Sequence, residues 1–264
     1  MINVLFIGDV NGKPGRQALT ALLPKLIKEK NIDFVIANGE NSAGGFGITI
    51  KTFEELLHCG VDAITLGNHI WDKKDVIPIL ESDRRLIRPA NLPEGNPGSG
   101  HAIFTVEKSE KKINIGVINL VGRVFMLAVD CPFRAADKVI NEIKQNAPVI
   151  FVDIHAEATS EKQAMGFYLA GRVSGVFGTH THVQTSDERI LDGGTAFITD
   201  AGMTGPFDSV IGVKKEIIIR RFLTAAPEKF EIAEGNVRIN AVLTAVDEAT
   251  GKAASIERLD IRYE

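Results

Sequence analysis

Residues 1–30 read MINVLFIGDVNGKPGRQALTALLPKLIKEK, and this stretch predicts one strand followed by one helix. The apolar run Val4–Gly8 ends in a glycine and a polar residue, as buried strands do. Between Arg16 and Lys30 the apolar residues follow the i, i+3, i+4, i+7, i+8 spacing of one helix face; they are Leu19, Leu22, Leu23, Leu26 and Ile27. A strand that leads into a helix in this way is typical of an α/β fold.

The same alternation of strand and helix patterns recurs further along the chain. Short apolar, β-branched runs predict strands at Phe34–Ala37, Ala63–Leu66, Val149–Ile154 and Gly175–Phe177. Helical spacing predicts helices at Thr49–Cys59, Asp137–Gln145 and Glu161–Gly171. We therefore predict a largely parallel sheet at the centre of the molecule.

The last part of the chain has a different pattern. From Glu216 onward, four segments predict successive strands with turn signals between them and no helix; they read EIIIRRFLT, KFEIAEG, NVRINAVLTAVD and SIERLDIRY. These segments indicate a second sheet, mixed or antiparallel. Two sheets packed face to face with helices outside would form one domain over residues 1–264, with Pro89–Gly100 as a surface loop.

Composition excludes several classes of protein. With 44% hydrophobic and 24% charged residues, the chain is ordinary for a soluble globular protein. A net charge of -4 gives no basic surface for bulk nucleic acid, so the expected partner is a small-molecule substrate. No run of about 18 apolar residues is present and the first residues lack a basic leader, so we expect a cytoplasmic protein without a membrane span. Cys59 and Cys131 are too few for a disulfide framework.

The turn after the first strand, Gly8–Arg16, looks like a phosphate-binding loop but does not have the required spacing. Gly8 and Gly12 are one residue too close, and Pro14 stands where the magnesium-binding hydroxyl residue belongs. Asp9 therefore needs another explanation. Alone, it would be read as a turn former or a helix cap.

Several predicted strands end in residues that can bind metals. They are Asp9, Glu40, Asn41, Asn68, His155, His180 and His182. The carboxyl ends of parallel strands open onto one edge of a sheet, so one site could collect all of them. If Gly178–His182 is extended, its two imidazoles lie on one side. Nitrogen and oxygen donors without cysteine suit Mn, Fe or Zn.

This donor set is too large for one ion and fits two metals, with Glu40 as the bridging carboxylate. Two metals about 3.5–4 Å apart lower the pKa of a shared water and stabilise both oxygens of an in-line displacement at phosphorus. The predicted chemistry is therefore hydrolysis of a phosphoester.

The motifs resemble those of the calcineurin-like metallophosphoesterases, which run D-x-H, GD-x-x-D, GNH-[DE], H and GH-x-H. The resemblance is closer to the YmdB-like group of bacterial phosphodiesterases, through FIGDVNGKPGR, ANGENSAGGFGIT, TLGNHIWD, DIHAEATSEK, GTHTHVQT and ITDAGMTGP. It implies a four-layer α/β/β/α sandwich of two mixed sheets flanked by helices. It also implies a dinuclear centre, with Fe or Mn expected and Zn as an alternative, in divalent or mixed-valence form. The implied substrates are phosphodiesters such as 2',3'-cyclic AMP and also 3',5'-cyclic AMP.

Two departures from the broad family determine the expected ligands. D-x-H is replaced by Asp9-Val10-Asn11, and GD-x-x-D by Gly39-Glu40-Asn41. The YmdB-like group implies that Asn41 supplies the missing ligand, with Asn11 as the alternative. The resemblance then places two overlapping sets on the two ions: Asp9, Glu40, Asn41 and His182 on one, and Glu40, Asn68, His155 and His180 on the other.

His69, which follows Asn68, is the expected catalytic residue. We expect it to protonate the departing sugar oxygen after attack by a metal-bridging hydroxide, because histidine gains and loses protons near neutral pH. The alternative is that His69 only forms a hydrogen bond with a neighbour. The family's acid after this histidine is displaced to Asp72, which we expect to cap a helix and not to orient His69.

Alternative functions remain open at this point. A phosphomonoesterase such as a nucleotidase would use the same donors, and so would a metal-dependent nucleotide-binding regulator with little turnover. Phe46, in the glycine-rich segment SAGGFG, either stacks on a base or packs within a flexible turn. The chain leaves the oligomeric state undetermined.

Overall fold

The computed structural model describes residues 1–264, which form two β-sheets and six helices. The strands are β1 (Ile2–Ile7), β2 (Asp9–Val10), β3 (Phe34–Asn38), β4 (Ala63–Thr65), β5 (Leu86–Ile87), β6 (His101–Lys108), β7 (Lys111–Val121), β8 (Val149–His155), β9 (Gly175–Thr179), β10 (Arg189–Leu191), β11 (Thr195–Ile198), β12 (Met203–Pro206), β13 (Val237–Val246) and β14 (Ala253–Tyr263). The helices are α1 (Gly12–Glu29), α2 (Ile50–His58), α3 (Val76–Ser82), α4 (Pro132–Ile143), α5 (Thr159–Leu169) and α6 (Lys215–Thr224).

Both sheets are mixed. The first has the order β2-β12-β13-β1-β3-β4-β5, with β14 also paired to β13. Its strands β1, β3, β4 and β5 are parallel, whereas β13 is antiparallel to β1 and β14. The second has the order β10-β11-β9-β8-β7-β6, in which the antiparallel strands β10 and β6 lie at the edges of a parallel centre.

Three apolar clusters separate four layers. Phe6 and Ile36 of the first sheet share a core with Phe151 and Phe177 of the second, so the two sheets face each other. A second cluster packs α1, α2 and α3 on the outer face of the first sheet, and a third packs α4 and α5 on the outer face of the second. The four-layer α/β/β/α sandwich is therefore confirmed.

The prediction for the region after Glu216 is wrong in its first half. EIIIRRFLT is the helix α6, which ends at Ala225 in the left-handed conformation (φ 54°), and KFEIAEG forms only an isolated bridge between Val213 and Ile232. Strand β13 is paired with β14 along one edge and with β1 and β12 along the other, so no edge of it is free. The β-branched run therefore cannot pair with β13, and tertiary context overrides its strand propensity.

The remaining predicted elements are present, with shifted ends. The predicted helices correspond to α1, α2, α4 and α5, and the last two predicted strands are β13 and β14. Residues 89–100 contain no helix or strand, as expected for a loop. The hairpin of β6 and β7 and the helix α3 lie outside the predicted set. None of the helices combines the length and the apolar character that a membrane crossing requires.

Candidate metal centre

The candidate ligands meet at one end of the sandwich, where the carboxyl ends of strands from both sheets come together. Glu40 and Asn41 follow β3 and Asn68 follows β4 in the first sheet, while His155 ends β8 and His180 follows β9 in the second. A cleft of about 450 Å³ lies here, lined among others by Asn11, Glu40, Asn41, His69, His180 and His182. Asp9 and His155 are fully buried beneath it. The two sheets thus bring together every residue that the sequence predicted for this site.

Four ligand atoms converge on one point. His155 Nε2 lies 2.9 Å from Glu40 Oε1, 3.0 Å from Asn68 Oδ1 and 3.0 Å from His180 Nδ1. Atoms bound to one metal at about 2.1 Å lie about 3.0 Å apart in an octahedron and about 3.4 Å apart in a tetrahedron. The three distances from His155 Nε2 are therefore compatible with ligands of one metal, as is the grouping of Glu40, His155 and His180 within 4.8 Å of one another.

The opposite nitrogen of His155 is held by a buried chain of hydrogen bonds. Thr179 Oγ1 donates to Asp153 Oδ1 at 2.6 Å, so it accepts a proton from His155 Nδ1 at 2.9 Å. Asp153 Oδ2 accepts from Thr65 Oγ1 and Asn38 Nδ2 at 2.5 and 2.9 Å. Because Nδ1 keeps its proton in this bond, Nε2 is the nitrogen that faces the cluster, and a metal would bind there in place of the Nε2 proton.

Thr179→Val is expected to lower the affinity for the metal at His155 by about 10- to 100-fold, the usual loss when a hydrogen-bond partner behind a metal ligand is removed. Calorimetric titration of chelator-treated protein with Mn²⁺ measures this affinity. The matched control is Thr244→Val, because Thr244 is buried on β13 and its hydroxyl has no hydrogen-bond partner. Equal Mn²⁺ affinity in the two variants would contradict a role for Thr179 behind His155.

The charges of the site favour a cation. Burial raises the pKa of Glu40, but the neighbouring His155 and His69 outweigh burial and lower it to about 2. Burial lowers the pKa of His155, but the carboxylates of Glu40, Asp9 and Asp153 raise it to about 9. Burial, with the charge of His155, lowers the pKa of His180 to about 3, so that its imidazole is a neutral ligand. The carboxylates thus attract positive charge to the point where the ligand atoms meet.

A second group of ligand atoms lies beside the first. Asp9 Oδ2 accepts the backbone N–H of His180 at 3.0 Å, whereas Asp9 Oδ1 is buried without a partner. His182 Nδ1 contacts the carbonyl oxygen of Ile211 at 2.9 Å, which leaves Nε2 free, 3.9 Å from Asp9 Oδ1. Burial raises the pKa of Asp9 more than the two nearby histidines lower it. An unpaired buried carboxylate oxygen is costly unless a cation binds it, so the residues fit a second metal.

Asn41 and Asn11 both remain candidates for the missing ligand. The side-chain oxygen of each is buried without a hydrogen-bond partner. Asn41 Nδ2 donates to the carbonyl oxygen of Gly45 at 2.9 Å, whereas the bond from Asn11 Nδ2 to the carbonyl oxygen of Ile211 is long, at 3.5 Å. The side-chain amide of Asn41 is therefore held more firmly than that of Asn11.

The segment Gly178–His182 is not extended at its two histidines, so the condition for placing both imidazoles on one side of a strand is not met. His180 and His182 both have positive φ, 98° and 63°, a region that side chains other than glycine rarely adopt. A buried ion pair supports this turn: Lys162 Nζ lies 2.8 Å from Asp200 Oδ2, and the same oxygen accepts from the N–H and the hydroxyl of Thr181. Tertiary contacts therefore hold the strained backbone that directs both imidazoles into the site.

Lys162→Met is expected to destabilise the fold by about 3 kcal/mol, because it leaves the buried Asp200 carboxylate without its counter-ion. Urea unfolding at matched metal content measures the effect. Lys214→Met is the matched control, since Lys214 pairs with Glu231 at the exposed surface, where an ion pair contributes little. Equal unfolding midpoints for the two variants would show that the buried pair does not support the fold.

The structure corrects the prediction for Asp72. Helix α3 begins at Val76 with Asp75 before it, so Asp72 caps no helix. Its Oδ2 instead lies 2.8 Å from His69 Nδ1, and it therefore orients His69. The loop between these residues forms a turn in which Asp72 N–H donates to the His69 carbonyl oxygen at 3.1 Å. In the broad family the acid directly follows this histidine, whereas here the acid that contacts His69 is Asp72, three residues further along the chain.

Sequence reasoning missed several supporting residues. The predicted site contained only candidate metal ligands and His69. It therefore left out the residues that support them, which include Thr179, Asp153, Lys162 and Asp200. Glu157 Oε2 lies 3.1 Å from His180 Nε2, so it holds this histidine with Nδ1 toward the cluster. The detectable signal was their location in the quoted motifs: Asp153, Glu157 and Lys162 lie in DIHAEATSEK, Thr179 in GTHTHVQT and Asp200 in ITDAGMTGP.

Gly67 also belongs to the site, because two of the candidate ligand side chains pack closely against its backbone. A Cβ at this position would lie 2.2 Å from His155 Cδ2 and 2.4 Å from Glu40 Oε2. Any larger residue would displace two of the ligand side chains.

Comparisons with known proteins point to one family. The profile of the YmdB-like protein family matches residues 5–259. A Bacillus subtilis protein named 2',3'-cyclic-nucleotide 2'-phosphodiesterase is 50% identical over 258 residues, which cover 98% of this chain and 96% of that protein. A Thermus thermophilus crystal structure, titled a hypothetical protein, has a TM-score of 0.91 at 41% identity and covers 100% of both chains. A Mycoplasma pneumoniae phosphatase structure has a TM-score of 0.91 at 38% identity, with 99% of this chain and 93% of that chain covered.

The resemblance inferred from the motifs is therefore confirmed. The family match spans nearly all of the sequence, and a relative at 50% identity covers almost its full length. This chain belongs to the family of YmdB-like proteins.

Proposed function

We propose that the protein is a metal-dependent phosphodiesterase whose substrates are 2',3'-cyclic nucleotides. The observation that supports it most is the convergence of Glu40, Asn68 and His180 on His155 Nε2 beside the unpaired oxygen of Asp9. The 50% identical relative is named for 2',3'-cyclic-nucleotide 2'-phosphodiesterase activity. 3',5'-Cyclic AMP remains a further candidate substrate.

Two ions are proposed to bind, as the ligand types suggest. Asp9, Glu40, Asn41 and His182 would hold one, and Glu40, Asn68, His155 and His180 the other. Glu40 suits the bridging position because its carboxylate has two oxygens, of which Oε1 lies 2.9 Å from His155 Nε2. When bound, such ions supply hydroxide near neutral pH and neutralise phosphoryl oxygens. Fe or Mn is the expected metal and Zn the alternative, since the site has no thiolate.

His69 is proposed to protonate the leaving oxygen. It lines the cleft, and Asp72 holds its Nδ1, so Nε2 remains available to a substrate. The backbone N–H of His69 is tied to Glu40, which places the imidazole next to the ligand cluster.

The domain organisation of the protein, its partner and its location are also part of the proposed function. Residues 1–264 act as one domain, because the central core contains side chains from both sheets. The partner is a small-molecule phosphodiester, and the two free cysteines, Cys59 and Cys131, suit a cytoplasmic location.

A substrate panel tests the reaction class. Protein reconstituted separately with Fe²⁺, Mn²⁺ or Zn²⁺ is assayed on 2',3'-cyclic AMP, 3',5'-cyclic AMP, a linear diester and 5'-AMP. We expect the highest kcat/KM on 2',3'-cyclic AMP, with Fe or Mn as the most active metal. Preferential turnover of 5'-AMP would indicate a nucleotidase instead. Nucleotide binding without turnover under every metal would indicate a regulator.

A further inference from the structure

One wall of the cleft is aromatic, although the metal-binding floor is polar. Phe46 and Phe230 both line this wall and are half-buried. Their rings are close to parallel, with an interplanar angle of 22° and centroids 6.3 Å apart. The two residues come from separate regions of the chain, Phe46 from the loop after the proposed bridging glutamate and Phe230 from the segment after α6.

Phe46 is held in place by the metal-binding loop. Asn41 Nδ2 donates to the Gly45 carbonyl oxygen at 2.9 Å, directly before Phe46. Gly45 packs on Ile232 so closely that a Cβ there would lie 2.6 Å from Ile232 Cδ1. The Phe46 ring meets the His69 ring in an edge contact, with centroids 4.9 Å apart. This aromatic surface therefore begins beside the proposed proton donor.

Phe230 is supported from outside the cleft. The guanidinium carbon of Arg221, in the last turn of α6, lies 4.9 Å from the centre of the Phe230 ring. A cation over an aromatic face stabilises the ring in that position. The helix that sequence analysis predicted as a strand therefore fixes one side of the cleft.

We propose that Phe46 and Phe230 form the nucleobase subsite, on which the base of a cyclic nucleotide stacks while its phosphate lies among the metal ligands. This inference rests on the proposed function. Base and phosphate of one nucleotide are separated by a single ribose, so the base must bind next to the residue that protonates the sugar oxygen. Phe46 lies in that position through its contact with His69. Ile232, Ile211 and Val213 extend the apolar lining around the rings.

Stacking on aromatic rings selects for a planar base without reading its hydrogen-bonding edge. Every base has a π-face, so all four 2',3'-cyclic nucleotides are accepted. Purines cover more of the two rings than pyrimidines do, so kcat/KM is higher for the adenine and guanine substrates.

The test compares a substrate with a base to one without. Phe230→Leu keeps an apolar side chain but removes the ring, Phe230→Tyr restores the ring, and Phe222→Leu is the control, since Phe222 on α6 is 85% exposed. Each protein, with its metals, is assayed on 2',3'-cyclic AMP and on glycerol 1,2-cyclic phosphate. For Phe230→Leu we expect kcat/KM on 2',3'-cyclic AMP to fall about 5- to 100-fold, the loss typical of one stacking ring. Turnover of the base-free substrate stays unchanged, and Phe230→Tyr and Phe222→Leu behave like wild type.

Other outcomes overturn the inference while leaving the reaction class intact. Equal losses on both substrates in Phe230→Leu would show that the ring only supports the fold of the cleft. No loss on either substrate would show that the base binds elsewhere. If wild type turned over neither substrate, the proposed function would fail. Calorimetric binding of 3'-AMP to the metal-loaded protein would then decide the subsite, since weaker binding to Phe230→Leu supports it and equal binding overturns it.

Discussion

Glu40→Ala is expected to remove both metal ions and to abolish phosphodiester hydrolysis. Glu40 Oε1 lies 2.9 Å from His155 Nε2, and Glu40 Oε2 accepts the N–H of His69, so both oxygens are at the centre of the site. Its loss also removes the charge that most strongly raises the pKa of His155. We expect kcat/KM to fall by more than about 10³-fold, the upper end of the loss from one preorganised electrostatic group.

Metal content separates this prediction from simple misfolding. Elemental analysis of purified, folded Glu40→Ala is expected to show neither ion. Asp9→Ala is expected to lose mainly one ion, because Asp9 belongs to only one of the two proposed ligand sets, in which its unpartnered Oδ1 lies 3.9 Å from His182 Nε2. Glu54→Ala is the control, since this exposed glutamate of α2 does not line the cleft. Full metal content in Glu40→Ala would rule out the bridging role.

His69→Ala is expected to retain both metals yet lose turnover by about 10²- to 10⁴-fold on substrates whose leaving group is a sugar alkoxide. His69 contributes a proton and not a metal bond, because its Nδ1 is bound to Asp72 and only its backbone contacts Glu40. A nitrophenyl ester needs no proton on its leaving oxygen, so its hydrolysis is expected to fall much less. Steady-state kinetics on the two ester types, with elemental analysis of the same sample, measures the difference.

Two variants control this experiment. Asp72→Asn keeps the side-chain shape but weakens the contact that orients His69, so we expect a smaller loss than in His69→Ala. His58→Ala replaces an exposed histidine at the end of α2 and is expected to have no effect. If His69→Ala lost the same factor on both esters, His69 would act on binding or structure and not as a proton donor.

The fold was predictable wherever local pattern and tertiary environment agree. The strands β1, β3, β4, β8 and β9 are buried on both faces, so their apolar runs were sufficient to identify them. Residues 216–224 were mispredicted because an isoleucine-rich run forms a strand only where the tertiary structure places a partner strand beside it. The sequence does not reveal that β14 and β1 already occupy both edges of β13.

The candidate ligands were predictable because chemistry restricts their types and topology restricts their positions. Carboxylate, amide and imidazole groups at the carboxyl ends of parallel strands lie at one edge of the sheet, whatever the conformation of the loops that follow. The function of Asp72 was not predictable, since a carboxylate three residues after a histidine caps a helix or orients the ring depending on the turn between them. Here the turn directs it to His69 Nδ1.

By itself, the sequence determined the α/β architecture, the donor set and the phosphoesterase chemistry, because these depend on residue type, order and period. Only the tertiary structure decided which groups hold the ligands and what else lines the cleft. Thr179 connects His155 to Asp153, Lys162 and Asp200 support the strained histidine loop, and Phe230 meets Phe46 from 184 residues further along the chain. Such contacts join distant segments, and their geometry depends on how two sheets and a late helix pack, which no local pattern encodes.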